Sequence, residues 1–542
     1  MPPASENVLS SSKEATESDC AANAAMADSD SELGAANEEL GGTRLIAITI
    51  AFMLSILMIA LDQDIISTAI PTMTTRFGTT NDIGLWGSAY LLAQMALQPP
   101  FGRVYMYFNN KRTFQVSLAL FSIGSILCAS AVSSSMFTTG RAIAGSGAAG
   151  IASGAFAIGS RIIPLQRRPL YLSIVGSMDG VSSIAGPLLG GVFTGSDILT
   201  WRFSFWINLP ISAFAMASVI FSLPNMPCKC QESITFLEKL ARLDLQGAAA
   251  LSGASVCVIL ALQWASVVYP WSDSRVWGCL LGAGLLLVVF IIWEVHRERE
   301  SIFPRRLILQ RSMGLSSIFL TLLYMVVFVH TYYLPLYFQV VQRRDAEQSG
   351  IRLLPYLTPA VLATIVSGVF ITKTGLFVPL MWLGSTTIAV GCWLLRTLEP
   401  DSSALKWVGY QVLTSMGFGL AVQVPYTVVQ VVLKEEDVPM GNALLMFCTS
   451  LGGSVSLTIS QNVFSTTLVH QLSQKPDLAN LTSTILTIGA TDLDSVVSST
   501  QMEQLIGIYS SAITQTFFLP AVSGGLAFVI SLGMEWRRLQ RG

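Results

Sequence analysis

Charged residues make up only 12% of the 542-residue chain, about half of the roughly 25% usual in soluble domains. Histidine is scarcer, with His296, His330 and His470 alone, too few and too scattered for a di-iron or zinc membrane enzyme. No G-x-x-x-x-G-K-[ST] loop occurs, so the chain lacks the phosphate cradle of an ATP-hydrolysing pump. The eight cysteines form no disulfide framework. Cys228 and Cys230 make one C-x-C pair without a second nearby, which argues against a zinc site. The first 42 residues hold nine acids, the single base Lys13 and no apolar run, so no cleavable signal peptide is expected and the first span should act as the insertion signal.

Apolar residues are plentiful instead, at 52% of the chain. Fourteen spans of about 20 residues would absorb roughly 280 residues, which is close to that whole apolar share. A soluble enzyme, a disordered scaffold and a nucleic-acid binder are thereby excluded. Runs long enough to cross a bilayer begin near Leu45, Gly84, Thr113, Met136, Leu170, Trp201, Leu243, Val276, Met313, Ile351, Leu376, Trp407, Pro439 and Ile506. The expected fold is an all-α polytopic membrane protein of two six-helix bundles with two extra linking helices. Residues 1–43 read as a disordered acidic tail and 44–227 as the N-terminal bundle. A linker carrying the two extra helices follows at 228–311, then the C-terminal bundle at 312–536 and a basic tail at 537–542.

Basic residues set the orientation. With both termini cytoplasmic, 21 of the 31 Lys and Arg face the cytoplasm and nine face outward, with Arg141 inside a span, as the positive-inside rule requires. The sequon Asn480-Leu481-Thr482 then falls in an external loop, making Asn480 the candidate glycosylation site. The 6 + 2 + 6 order suggests repeated bundles around a central path with a substrate site near the midplane.

Ionisable residues at membrane depth cost roughly 2.5–3.5 kcal/mol each unless they face a cavity or a partner, so they mark the mechanism. The first span ends in Leu61-Asp62-Gln63-Asp64. Asp62 and Asp64 lie about 200° apart on a helix, so at most one points squarely at a central cavity, and the reading assigns that place to Asp62. A carboxyl group there can bind a proton on one side of the membrane and release it on the other. Arg141, early in the fourth span, needs a carboxylate, carbonyl or water partner and is placed beside the proton site. Asp179, in the fifth span, is a second proton carrier. Gly145-Ser146-Gly147-Ala148-Ala149-Gly150 spells the dinucleotide fingerprint, but no strand precedes it, and small residues at this spacing are read as helix packing. Gly186, Pro187, Gly190 and Gly191 remove side chains and one backbone hydrogen bond from the fifth span, giving a kink that can gate. His330 is read as a satisfied core histidine. The C-terminal half supplies aromatic and amide groups, among them Tyr332, Tyr333, Tyr337, Gln339, Gln411, Gln423, Tyr426, Gln430, Gln461 and Asn462. Such a mixture suits a large, mostly apolar ligand.

Leu61-Asp62-Gln63-Asp64-Ile65-Ile66-Ser67-Thr68-Ala69-Ile70-Pro71 is similar to the first-helix motif LDxTIxxxAIP of the major facilitator superfamily, specifically of the fungal fourteen-helix drug:proton antiporters. Gly140-Arg141 through Gly147 resembles that family's fourth-helix arginine motif, and Gly176 through Gly191 its fifth-helix antiporter motif ending GPxxGG. Trp201-Arg202 with Phe205 through Pro210, and Tyr332 through Gln339 followed by Ser349 through Pro355, resemble further signatures, so that the likeness covers residues 44 to 535. Three positions depart from the pattern. Met106 stands for the aspartate of the loop Gly102 to Arg112, which otherwise keeps Gly102, Lys111 and Arg112. Asp64 replaces a threonine, and Asp179 is an added acid.

The resemblance implies a proton-coupled exporter, not an enzyme, that moves secondary metabolites, toxins or drugs by alternating access. Proton coupling would fall to Asp62, Arg141, Asp179 and Asp64. Gating would fall to Gly102, Lys111, Arg112, Gly186, Pro187, Gly190 and Gly191, and substrate contact to Tyr332, Tyr337, Gln339, Gln423 and Tyr426. No cofactor or metal is expected. The partners are a small-molecule substrate, protons and the lipid bilayer, without nucleic acid, and the chain should act as a monomer. The plasma membrane is the expected location, with the vacuolar membrane as the alternative. A proton-driven importer of a siderophore-like molecule is the competing reading, and a non-transporting membrane sensor a remote one.

Overall fold

In the computed structural model, residues 42–66, 73, 76–77, 83–194, 200–225, 238, 242–265, 269, 271–297, 302–344, 346–475, 478 and 499–538 are described. Among them the chain is helical, and β-structure is confined to two isolated bridges. Helices α1 (Gly42–Asp64), α2 (Ile83–Tyr107), α3 (Asn110–Ala129), α4 (Ser134–Ile162), α5 (Arg168–Thr194) and α6 (Asn208–Ser222) come first. Two linking helices follow, α7 (Leu245–Trp264) and α8 (Ser274–His296). The rest are α9 (Arg311–Leu336), α10 (Ala346–Thr374), α11 (Val378–Leu395), α12 (Ala404–Val422 and Val424–Val432), α13 (Val438–Ser473) and α14 (Ser499–Thr516 and Phe518–Leu532).

Eleven stretches among the described residues are long and apolar enough to cross a membrane. Helices α2, α5 and α7 take the intervening places, so each apolar run of the sequence corresponds to one helix. The helices therefore alternate in direction between a near face, where α1 begins, and a far face. Asn480, Cys228 and Cys230 lie outside the described residues.

Glycine decides the packing of the N-terminal half. The Gly-Ser-Gly segment of α4 is a contact surface on two sides. A β-carbon at Gly145 would collide with the Tyr90 carbonyl of α2, and one at Gly147 with the Phe121 backbone of α3. Backbone atoms cannot rotate away as a side chain can, and overpacking typically costs about 1–3 kcal/mol. Gly147→Val should therefore lower the thermal unfolding midpoint of detergent-purified protein and broaden its size-exclusion peak. An unchanged midpoint would mean that α3 and α4 do not approach this closely.

Helices α1 to α6 pack among themselves, as do α9 to α14, and the halves meet along α5–α10 and α2–α13. The α7–α8 pair lies outside, with α7 against α2 and α13. Prolines within helices, such as Pro99 and Pro100 in α2 and Pro355 and Pro359 in α10, are tolerated because neighbouring membrane helices help satisfy the freed carbonyls. Helix α12 is interrupted at Gln423, and Pro425 occupies the first turn of its second piece, where a missing N–H costs nothing.

Candidate functional site

A cavity of about 210 Å³ lies between the halves, walled by α1, α2, α4 and α5 on one side and α9, α10 and α12 on the other. A chamber of about 170 Å³ adjoins it toward the near face, and Gln63, Gly176, Asp179, Tyr324, Phe328 and Gln423 line both. Asp64 and Asp179 face the larger cavity and are close enough for their charges to interact. Ser182 donates to Asp64 Oδ2 at 3.1 Å. Ser183 donates to the backbone carbonyl of Asp179 at 3.2 Å.

Asp62 does not line this cavity, contrary to the sequence reading. It turns into the core of the N-terminal half, where it and Arg141 form an ion pair with each side chain only 1% exposed. Asn208 Nδ2 donates to Asp62 Oδ1 at 2.9 Å. Arg141 Nε donates to the Trp86 carbonyl at 3.1 Å, and its guanidinium lies 4.3 Å from the Tyr90 ring centre. The side chains of Phe77, Trp86, Phe137, Trp201 and Phe205 cluster on the far side of this pair and exclude water from it. The reason for the reversal is local. Gly186 lets α5 close on α1 at Asp64, since a β-carbon there would come within 2.6 Å of Asp64 Cβ. That contact fixes Asp64 on the cavity side and leaves Asp62, about 200° around the helix, to meet Arg141.

Of the expected substrate contacts, Tyr332 and Gln423 line the larger cavity and Tyr426 the smaller. Tyr337 and Gln339 line neither. Both sit in the π-helical turn Tyr337–Val341 beyond the far end of α9, where the Tyr337 hydroxyl donates to the Glu399 carbonyl at 2.6 Å. His330 is a fully buried core histidine, with Nδ1 3.3 Å from the Tyr356 hydroxyl and its ring against Phe517, but it is only half satisfied, since its Nε2 has no hydrogen-bond partner.

Several cross-contacts bring the halves together toward the near face, while on the far side Ile184 of α5 packs against the core of the C-terminal half. Phe156 of α4 stacks on Tyr426 of α12 at 4.9 Å, and Arg168 Nη1 donates to Gln430 Oε1 at 3.3 Å. Gly102 of α2 allows α13 so close that a β-carbon would lie 2.7 Å from Ala443 Cβ. Lys111 does not bridge the halves. Its Nζ donates to the Ile220 and Leu223 carbonyls at 2.7 Å each, tying α3 to the end of α6. The Arg112 side chain is exposed. Helix α5 runs through Gly186, Pro187, Gly190 and Gly191 as one helix.

Sequence reasoning left Asn208 without a role, although an asparagine within an apolar span is itself a signal of an interhelical hydrogen bond. It also passed over Val424-Pro425, which marks the break in α12 beside Gln423.

The family model of the Major Facilitator Superfamily matches residues 52–457. The chain is 39% identical over 504 residues to "MFS-type transporter ltbE" of Aspergillus luteorubrus, covering 93% of this chain and 92% of that protein. It is 36% identical over 500 residues to "MFS-type efflux pump MFS1" of Trichophyton rubrum, covering 92% of each. "Efflux pump roqT" of Penicillium rubens is 35% identical over 497 residues, again with 92% of each covered. Among solved structures, the human organic anion transporter MFSD10 superposes with a TM-score of 0.55 at 14% identity, over 89% of this chain and 100% of that one. The proton:xylose symporter XylE does so with a TM-score of 0.54 at 14% identity, over 92% and 98%. At this identity the structural likeness concerns the fold alone.

Proposed function

Because the chain belongs to the Major Facilitator Superfamily, whose members are transporters and not enzymes, we propose that it is a proton-coupled efflux transporter exporting small, largely apolar organic molecules by alternating access. One observation carries the reading: two carboxylates, Asp64 and Asp179, face a cavity between the halves whose near-face side is closed. The efflux pumps among its fungal relatives favour export over import.

In this reading the near face is cytoplasmic, which the distribution of Lys and Arg supports, and the closed near side corresponds to the state that releases substrate outward. Residues 44–227 and 312–536 are the two rocking units, 228–311 carries the linking pair, and the chain works as a monomer at the plasma membrane. Asp64 and Asp179 bind protons from outside and surrender them inside. The Asp62–Arg141 pair holds α1 to α4, so that a change at Asp64, two residues away, moves the helix as a body. One proton moving down about 100 mV supplies roughly 2.3 kcal/mol, and one pH unit adds about 1.36 kcal/mol. Together they sustain a several-hundredfold substrate gradient.

The test is uptake of rhodamine 6G into everted membrane vesicles of yeast expressing the protein. Uptake that follows an imposed pH gradient and stops on adding a protonophore supports the proposal. Uptake indifferent to the protonophore sinks it.

The seam at Gly102 gives a separate expectation. Gly102→Val should hold the near face open, lowering transport at least tenfold. It should also speed maleimide labelling of a cysteine placed at Ser450, whose hydroxyl lies 3.5 Å from Gln98 Oε1 across the same seam. Labelling at the parent rate would show that this seam is not the gate.

A further inference from the structure

The α2–α13 seam joins the halves toward the near face, and the chain between α6 and α9 fastens to both of its sides. On the α2 side, Arg103 Nη1 donates to the Arg242 carbonyl at 3.0 Å, and Ser252 Oγ of α7 donates to the Ala96 carbonyl at 3.0 Å. That carbonyl needs an outside donor, because the residue four positions on is Pro100, which has no N–H to give. On the α13 side, Phe303, in the connection from α8 to α9, holds its ring 6.2 Å from that of Phe447. Arg306 Nη2 lies 2.8 Å from Asp437 Oδ1 at the start of α13. Met95 of α2, Leu251 of α7, Phe303 and Phe447 of α13 belong to one buried cluster across the seam. Two further contacts make the fastening a single piece. Trp293 Nε1 of α8 donates to Asp244 Oδ1, just before α7, at 2.7 Å, and the Glu294 carboxylate accepts from the Ile302 and Phe303 N–H groups at 3.0 and 3.2 Å.

We propose that α7, α8 and the segment up to Arg306 form a strap across this seam, which rides on α2 and lets go of α13 when the near face opens. The two attachments differ in kind. Parting from α2 strands the Ala96 carbonyl in an apolar layer, where an unsatisfied backbone group is strongly unfavourable. Parting from α13 exchanges ring contacts for lipid contacts of similar quality. The Arg306–Asp437 pair, with the Arg306 side chain 66% exposed, adds little. The strap thus biases the resting protein toward a closed near face without preventing its opening. The inference rests on the reading of the near face as a gate and adds what sets the resting position of that gate.

The test uses the full chain in membrane vesicles with a cysteine placed at Ser450, and the labelling of the chain lacking that cysteine is subtracted. Phe303→Ala should speed maleimide labelling about tenfold, the effect of removing about 1.4 kcal/mol of bias toward the closed state. Phe303→Leu, which refills the cluster, should label near the parent rate. In a second experiment, a short bis-methanethiosulfonate bridging Phe303→Cys/Phe447→Cys should stop rhodamine 6G uptake until a reductant cleaves it. Recovery on reduction separates a locked gate from a misfolded chain. The same bridge in Met95→Cys/Leu251→Cys should leave uptake intact, and the single-cysteine chains serve as controls. Labelling of Phe303→Ala at the parent rate, uptake that continues with the α13 bridge in place, or uptake stopped equally by the α2 bridge would each overturn the inference. Parent-rate labelling together with intact gradient-driven uptake would defeat this inference and leave the proposed function standing. Faster labelling with uptake indifferent to a protonophore would do the reverse.

Discussion

Asp64→Asn/Asp179→Asn protein is expected to lose the coupling of transport to the pH gradient while still folding. Asparagine keeps the volume of aspartate and can accept the Ser182 hydrogen bond that now ends on Asp64 Oδ2 at 3.1 Å, so the packing of α1 on α5 has no reason to change. What disappears is the ability to bind and release a proton on the cavity wall. The steady-state accumulation in proteoliposomes of rhodamine 6G, a monovalent cation whose one-for-one exchange with a proton moves no net charge, should fall from the roughly tenfold ratio that one pH unit supports toward equality on the two sides. Downhill exchange of the dye should persist, which separates loss of coupling from loss of structure. Accumulation at the parent level would remove these two acids from the proton path and return attention to Asp62.

The second large effect concerns stability. Asp62→Ala leaves the Arg141 guanidinium, 1% exposed, buried without its counter-ion, and breaking such a pair by deleting one partner costs about 3–5 kcal/mol. It also deprives Asn208 Nδ2 of its 2.9 Å acceptor, leaving the weaker contact to Ser125 Oγ at 3.3 Å. The neutral pair Asp62→Asn/Arg141→Gln should recover most of that loss, because no buried charge remains and amide groups can take over the hydrogen bonds. Thermal unfolding of the two single variants and the double variant in one detergent gives the coupling directly. If Asp62→Ala unfolds at the parent temperature, Arg141 has found another partner and the core ion pair is not structural.

The helices were legible because a bilayer imposes one length. The run beginning near Gly84 became Ile83–Tyr107, and the run near Pro439 became Val438–Ser473. The small-residue segment of α4 was equally legible, since only close helix packing explains glycines at that spacing away from any strand. Which of Asp62 and Asp64 meets the cavity was not legible. The spacing says that the two diverge, but the choice depends on Gly186 and Arg141, each distant in the chain and brought to α1 by the fold. Tyr337 and Gln339 illustrate a second limit. They follow Tyr332 and Tyr333 closely in sequence, yet a turn and a half of helix carries them past the far end of α9 into the turn that packs on the loop at Glu399. Composition alone sets no depth at that resolution. Gln423 is legible as an amide in an apolar span, but that its Oε1 is left without a partner shows only in the assembled structure.

The most direct test of proton-driven export through this cavity is a simultaneous count of dye and protons. Purified protein is reconstituted into liposomes holding a trapped pH indicator, and rhodamine 6G is driven across by its own concentration gradient. The account predicts proton movement opposite to the dye in the parent protein and none above the empty-liposome rate in Asp64→Asn/Asp179→Asn. Protons travelling with the dye, or dye flux unaccompanied by proton movement, would contradict it.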